Sequence, residues 1–394
     1  MTKEQLHEYT VRLCSALIQA KSYSGEEKQV AQVVKSAMEA LGYDSVTIDA
    51  YGNVIGCIKG NRPGPKVLLD GHIDTVPVQE PERWSFDPFG GEIRADRVCG
   101  RGASDMKGAV AAMICGAAYY AQNRDFAGEI YVAGVVYEEL YEGVSARLIS
   151  KAVEPDYVII GEATNLALKI GQRGRGEIVL ETIGKPAHSA NPEKGINAVK
   201  KMMKLVASLE DIVPDEQPNL GKGIMELTDI VSAPFPGASV VPERCIATLD
   251  RRLLVGDTKD SVLDPIRQRI DLLSSQDPQF HAKVYFRSET KLCYTGNEIF
   301  AERFFPAWEY SREAEFVQAS YNALQTIGQT PELTYYSFCT NGSHYAGEQG
   351  IKTIGYGPSF ENLAHTVDEY VLIEQLEKSA EGYAAIIGGL FGKY

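Results

Sequence analysis

Lys66-Val-Leu-Leu-Asp-Gly-His-Ile-Asp74 is the stretch that decides the fold: a short apolar strand runs directly into a turn carrying His72 and Asp74. An apolar run without polar alternation reads as a strand buried on both faces, as in parallel sheets covered by helices. The pattern returns further along. Glu129–Tyr137 leads to Glu138 and Glu139, and Tyr157–Gly161, rich in Val and Ile, leads to Glu162. A strand around Thr353–Tyr356 leads through a loop to His365. Helical stretches alternate with these runs, at Glu26–Leu41 (closed by Gly42), near 108–122 and near 145–152. The alternation predicts an α/β domain with a mostly parallel central sheet. Such sheets bind ligands beyond the carboxyl ends of their strands, where these His and Glu residues fall.

The rhythm changes near Arg173. Glu177–Ile183 alternates, and a helix near 195–209, two strand candidates, a helix near 258–273 and a strand at His281–Arg287 follow. This block reads as an inserted α+β domain, giving a catalytic domain at 1–174 and 290–394 around an insertion at 175–289. The charge balance, 39 Lys and Arg against 53 Asp and Glu, is −14. So acidic a chain argues against nucleic acid or an anionic membrane as partner, since both call for a basic face. The longest apolar run, Ala109–Ala121, is too short to span a bilayer, and the charged start lacks a signal peptide's apolar core. The seven cysteines are scattered without a C-x-x-C pair, which reads as reduced thiols and a cytoplasmic protein.

The chemistry gathers at the predicted strand ends. Residues two apart in an extended segment face the same side, so the Asp74 carboxylate is expected to hold one imidazole nitrogen of His72 while the other binds metal. Asp105 stands in Gly100-Arg-Gly-Ala-Ser-Asp-Met-Lys-Gly108, at the mouth of the long helix. Two rival readings of this stretch fail. Gly100-Arg-Gly102 lacks the third glycine of a dinucleotide loop, and Ser104-Asp-Met-Lys107 lacks the S-D-N and K-T-G partners of the serine acylases. His7 and His281 read as outer-surface residues, and His344 carries a second reading, as a substrate contact.

In LLDGHIDTVP (68–77), GRGASDMKG (100–108), the Tyr-Glu-Glu-Leu stretch around Glu138, GEAT (161–164), GKPAHSANPEKGINA (184–198) and AHTVDEY (364–370), the chain resembles a known family. This is the co-catalytic zinc aminoacylase and carboxypeptidase family, which includes acetylornithine deacetylase, succinyl-diaminopimelate desuccinylase and glutamate carboxypeptidase. A narrower likeness is to its selenium-metabolism-linked hydrolase subgroup. The motifs follow the family's order over nearly the whole chain.

The resemblance implies two divalent metal ions bridged by Asp105, one held also by His72 and Glu162, the other by Glu139 and His365. Imidazole and carboxylate donors without thiolate suit zinc, with cobalt or manganese as substitutes. Glu138 is implied as the general base, and a cis peptide is expected at Asp105–Met106. The insertion corresponds to the family's lid and homodimer interface. Within it, His188 matches a histidine that stabilises the oxyanion in the partner subunit's site. Arg252 matches an arginine that grips a substrate carboxylate, with Arg251 as its neighbouring competitor. Cys339-Thr-Asn-Gly-Ser343 departs from a Gly-Thr-Asp-like turn of relatives and marks Asn341 and Gly342 as candidate substrate contacts. The expected activity is cleavage of an amide in a small carboxylate-bearing substrate. An N-acyl or N-carbamoyl amino acid leads, because Glu at position 162 accompanies deacylases in the family. A dipeptidase or carboxypeptidase with the same site is the alternative, and a catalytically silent small-molecule binder is the rival from another class.

Overall fold

The computed structural model describes residues 1–392. They divide into two compact units, the first built from 1–172, 290–300 and 308 onward, the second from Arg173–Glu289 and Ala301–Ala307. The sequence assigned everything after 290 to the first unit. Ala301–Ala307 instead belongs to the second, because Phe304–Phe305 pairs with the strand Gly174–Ile183.

In the first unit a nine-stranded sheet runs Ser45–Ile48, Val54–Lys59, Ala127–Val135, Arg62–His72, Tyr157–Ile160, Lys352–Gly355, Leu168–Gln172 and Trp308–Glu309. Leu333–Tyr336 pairs beside Leu168–Gln172. The four central strands, from Ala127–Val135 to Lys352–Gly355, are mutually parallel. Antiparallel pairs flank them. Val67, Leu68 and Leu69 are fully buried, as the uninterrupted apolar run required. Helix Lys3–Gln19 begins on a reciprocal cap between Thr2 and Gln5 and buries Leu6, Leu13 and Leu17. Helix Gly108–Tyr120 is buried on nearly every side. This explains its unbroken apolar composition without a bilayer: among the described residues no helix is long and apolar enough to cross a membrane. All seven cysteines are buried.

The second unit is an antiparallel sheet in the order Ile224–Ala233, Arg244–Leu253, Gly174–Ile183, His281–Phe286. Along Arg244–Leu253 every second residue is buried, starting from Cys245. That face meets helices Ala198–Ala207 and Lys259–Gln276 in a common core that includes Ile178, Leu180, Met202, Ile266 and Phe286. Both helices start on side-chain caps, Asn197 and Thr258.

Candidate metal centre

Because the central strands are parallel, their carboxyl ends share one rim. His72 closes the strand Arg62–His72 and is 1% exposed. Its Nδ1 lies 2.9 Å from the main-chain carbonyl of Asp74 and 3.7 Å from the Asp74 carboxylate. The expected carboxylate partner is thus replaced by the main chain. The carboxylate is taken by other donors: Ser24 Oγ at 2.7 Å and the N–H groups of Glu138 and Glu139 at 3.1 and 3.3 Å. The result for the ring is unchanged. Nδ1–H donates to the carbonyl, which turns Nε2 toward the site.

Asp105 lies in the tight segment Ala103–Lys107, and the peptide joining it to Met106 is cis, as the resemblance implied. Its Oδ1 is 2.8 Å from His72 Nε2, and its Oδ2 is 3.1 Å from His365 Nε2. One carboxylate therefore addresses both imidazoles, an oxygen to each. Glu162 Oε1 stands 3.6 Å from His72 Nε2, and Glu139 Oε2 stands 2.9 Å from His365 Nε2. Ligand atoms of His72, Asp105 and Glu139 lie within 4.8 Å of one another, as do those of His72, Glu138 and Glu162.

Electrostatics marks this cluster as short of positive charge. Burial, followed by the charge of Asp105, pushes the Glu162 carboxyl well above the usual carboxylate range. Burial does the same for Glu138, with Glu162 adding to it and His72 opposing. Burial alone would lower the His72 imidazole, yet the charges of Glu162 and Asp105 outweigh it and hold it well above its usual value. Hydrogen bonds to Asp105 and Glu139 raise His365 to about 10. Glu138 Oε1 is buried with no hydrogen-bond partner among the described residues. A crowd of carboxylates around two imidazoles, with an unsatisfied oxygen among them, fits divalent cations.

The base candidate sits on an elbow built from main-chain amides. The strand expected to reach Tyr137 stops at Val135, because the next four N–H groups turn to side chains. Val136 N donates to Asn53 Oδ1 at 2.9 Å and Tyr137 N to Glu27 Oε1 at 3.3 Å. Glu138 and Glu139 donate to Asp74, as above. Tyr137 takes a left-handed backbone, with φ 60°. Glu27 and Asn53 are fully buried. Sequence reading missed both, since a Glu at a helix start and an Asn in a turn ordinarily face solvent.

His188 and Arg252 belong to the second unit. His188 is exposed, and its Nδ1 accepts the Ala190 N–H at 3.0 Å. That fixes the proton of the neutral ring on Nε2, leaving an outward donor. Arg251 is buried, with Nη1 on the carbonyls of Ile224 and Arg252 and Nη2 3.4 Å from Asp257. Arg252 faces the other side of the strand, and Asp250 holds its Nε at 2.9 Å. Between the two, Arg252 is the one whose forked end is not spent on main-chain carbonyls.

Asn341 and Gly342 are buried, and the Asn341 amide is used inside the protein. It donates to Asp70 Oδ1 at 2.9 Å and accepts the Gly143 N–H at 2.8 Å. The side chain braces the strand that carries His72, a different task from the substrate contact expected of it. Gly342 packs so close to Trp308 that a Cβ would stand 2.7 Å from the indole nitrogen. His344 also has both ring nitrogens engaged, at 2.7 Å from Glu348 and at 2.7 Å from Ser150. Asn341→Asp would set two buried carboxylates face to face and is expected to cost about 3 kcal/mol in urea unfolding. Exchanging the pair, Asp70→Asn with Asn341→Asp, restores donor and acceptor and should recover most of that loss. A single Asn341→Asp variant as stable as the parent would contradict the bracing role.

Known proteins match the chain along most of its length. The pattern of Peptidase family M20/M25/M40 matches residues 68–388. The chain is 33% identical over 389 residues to the uncharacterized protein YgeY of Escherichia coli (strain K12), covering 95% of this chain and 93% of that one. It is 27% identical over 394 residues to succinyl-diaminopimelate desuccinylase 2 of Ruegeria sp. (strain TM1040), covering 97% and 95%. Among solved structures it is similar to the M20 family metallo-carboxypeptidase Sso-CP2 of Sulfolobus solfataricus. The TM-score is 0.78 at 16% identity, over 98% of this chain and 99% of that one.

Proposed function

The chain belongs to peptidase family M20/M25/M40, whose members are metal-dependent hydrolases, and from that premise we propose that it cleaves the amide of an N-acyl or N-carbamoyl amino acid at a two-metal site. The observation that carries this reading is Asp105 presenting one oxygen to each of two imidazoles, with Glu162 and Glu139 behind them. His72, Asp105 and Glu162 would hold one ion and Asp105, Glu139 and His365 the other. Zinc is favoured by the donor set, with cobalt or manganese able to substitute. When bound, such ions polarise an amide carbonyl and acidify water.

The chain's own residues divide the remaining work. Glu138, with a buried oxygen that has no hydrogen-bond partner among the described residues, takes a proton from the attacking water and delivers it to the leaving nitrogen. Asp74 fixes the main chain on either side of that base. Arg252 provides a planar donor pair for the substrate's free carboxylate. His188, acting across a homodimer formed by residues 175–289, donates from Nε2 to the tetrahedral oxyanion.

The test is free-amine release from a panel of N-acetyl, N-succinyl and N-carbamoyl amino acids beside dipeptides, with zinc or cobalt supplied. Turnover of acyl or carbamoyl members is the expected result. Turnover of dipeptides alone would move the chain to the peptidases. Silence across the panel, with metal bound, would leave a binding role.

A further inference from the structure

The segment that carries Asp105 is held by a carboxylate from the far end of the chain. Glu369 is fully buried and follows His365 by four residues. Its Oε1 accepts the N–H groups of Gly102 at 3.0 Å, Ser104 at 2.8 Å and Asp105 at 3.1 Å. Its Oε2 accepts Arg101 Nη1 at 2.6 Å, and its main-chain carbonyl accepts the Gly100 N–H at 2.9 Å. Gly102, with φ 90°, turns the chain so that these amides converge. A concave run of N–H groups is an anion nest, and here the anion is the protein's own side chain.

Each wall of this arrangement bears a candidate ligand. Asp105 lies on the nest, and His365 lies on the loop that carries Glu369. That loop is itself bent, with left-handed backbone at His365 (φ 62°) and Asp368 (φ 59°). Asp368 Oδ1 accepts the Ser85 N–H at 2.7 Å, which ties the loop down a second time. A helix cap is the simpler role for such a carboxylate. However, the helix starts at Gly108, and the captured amides belong to residues 102, 104 and 105. Arg101 is 4% exposed, so neither partner is placed to touch substrate, and both act through Asp105.

We propose that Glu369, paired with Arg101, is a positioning residue for the hydrolysis: it locks the Asp105 turn to the His365 loop and so sets the spacing at which the two ligands share an ion. The proposal rests on Asp105 and His365 being ligands. Charge-assisted bonds make the lock stiff, and among the described residues no other side chain holds the amides of Ser104 and Asp105.

The test uses the full chain stripped of metal, as parent, Glu369→Gln and Glu369→Asp. Each is titrated with cobalt(II), followed by visible absorption, and with zinc(II) against a chromophoric chelator. Glutamine keeps the shape but turns an NH₂ group toward the nest or toward Arg101. Aspartate keeps the charge opposite Arg101 and guards against a failure to fold. Both variants are expected to bind at least one equivalent about 10–100-fold more weakly than the parent, with an altered cobalt spectrum. A lock serving only the fold would lower the melting midpoint of the metal-free variants and leave affinity and spectrum at parental values, which would overturn the proposal. A parent chain that binds no metal would instead overturn the ligand assignment itself, and the positioning role with it.

Discussion

Glu138→Gln is expected to lower amide turnover by at least about 10²–10⁴-fold while metal binding survives. The glutamine side chain is isosteric, and the elbow that presents it is fixed through main-chain N–H groups on Asp74, which the substitution leaves in place. What is lost is the ability to accept a proton. Metal analysis after dialysis, beside amine release on the best panel substrate, separates the two effects. An active Glu138→Gln protein would remove this residue from the reaction. A variant stripped of metal would make it a ligand, a reading allowed by its place beside His72 and Glu162.

Asp105→Asn should be nearly as damaging, for a different reason. Asparagine retains one oxygen but loses the charge and the second acceptor that His365 now faces. Losing a partner one layer out from a metal typically costs about 10–100-fold, so loss of the shared carboxylate is expected to exceed about 100-fold in activity. Metal content should fall below that of the parent. The captured Asp105 N–H is unaffected by the change, so circular dichroism should stay parental. Two full equivalents of metal in Asp105→Asn would rule out a bridging role.

The sheet and the acids at its rim were legible because both leave local marks. A buried parallel strand needs an unbroken apolar run, and a residue meant for the rim must follow it within a few positions. His72, Glu138, Glu139 and Glu162 meet that condition. The partners of main-chain amides leave no such mark. Glu369 serves Asp105 across 264 positions, and Glu27 serves Tyr137 across 110. Val136 and Tyr137 have side chains suited to a strand, so the expected strand overran into the elbow. Asn341 drew attention only as a departure. Its reason appears when Asp70 is seen opposite, because an acid already stands there and the partner must donate.

The elbow after Val135 also constrains how the chain can change through descent. Its four N–H groups are assigned one by one to Asn53, Glu27 and the two oxygens of Asp74. None of these contacts uses the elbow's own side chains. Substitution at Val136 or Tyr137 therefore leaves the bonding scheme intact, whereas inserting or deleting a single residue would shift every amide to the wrong acceptor. The location of the base is encoded as a distance along the backbone, so the residues leading into Glu138 can vary in composition but not in number.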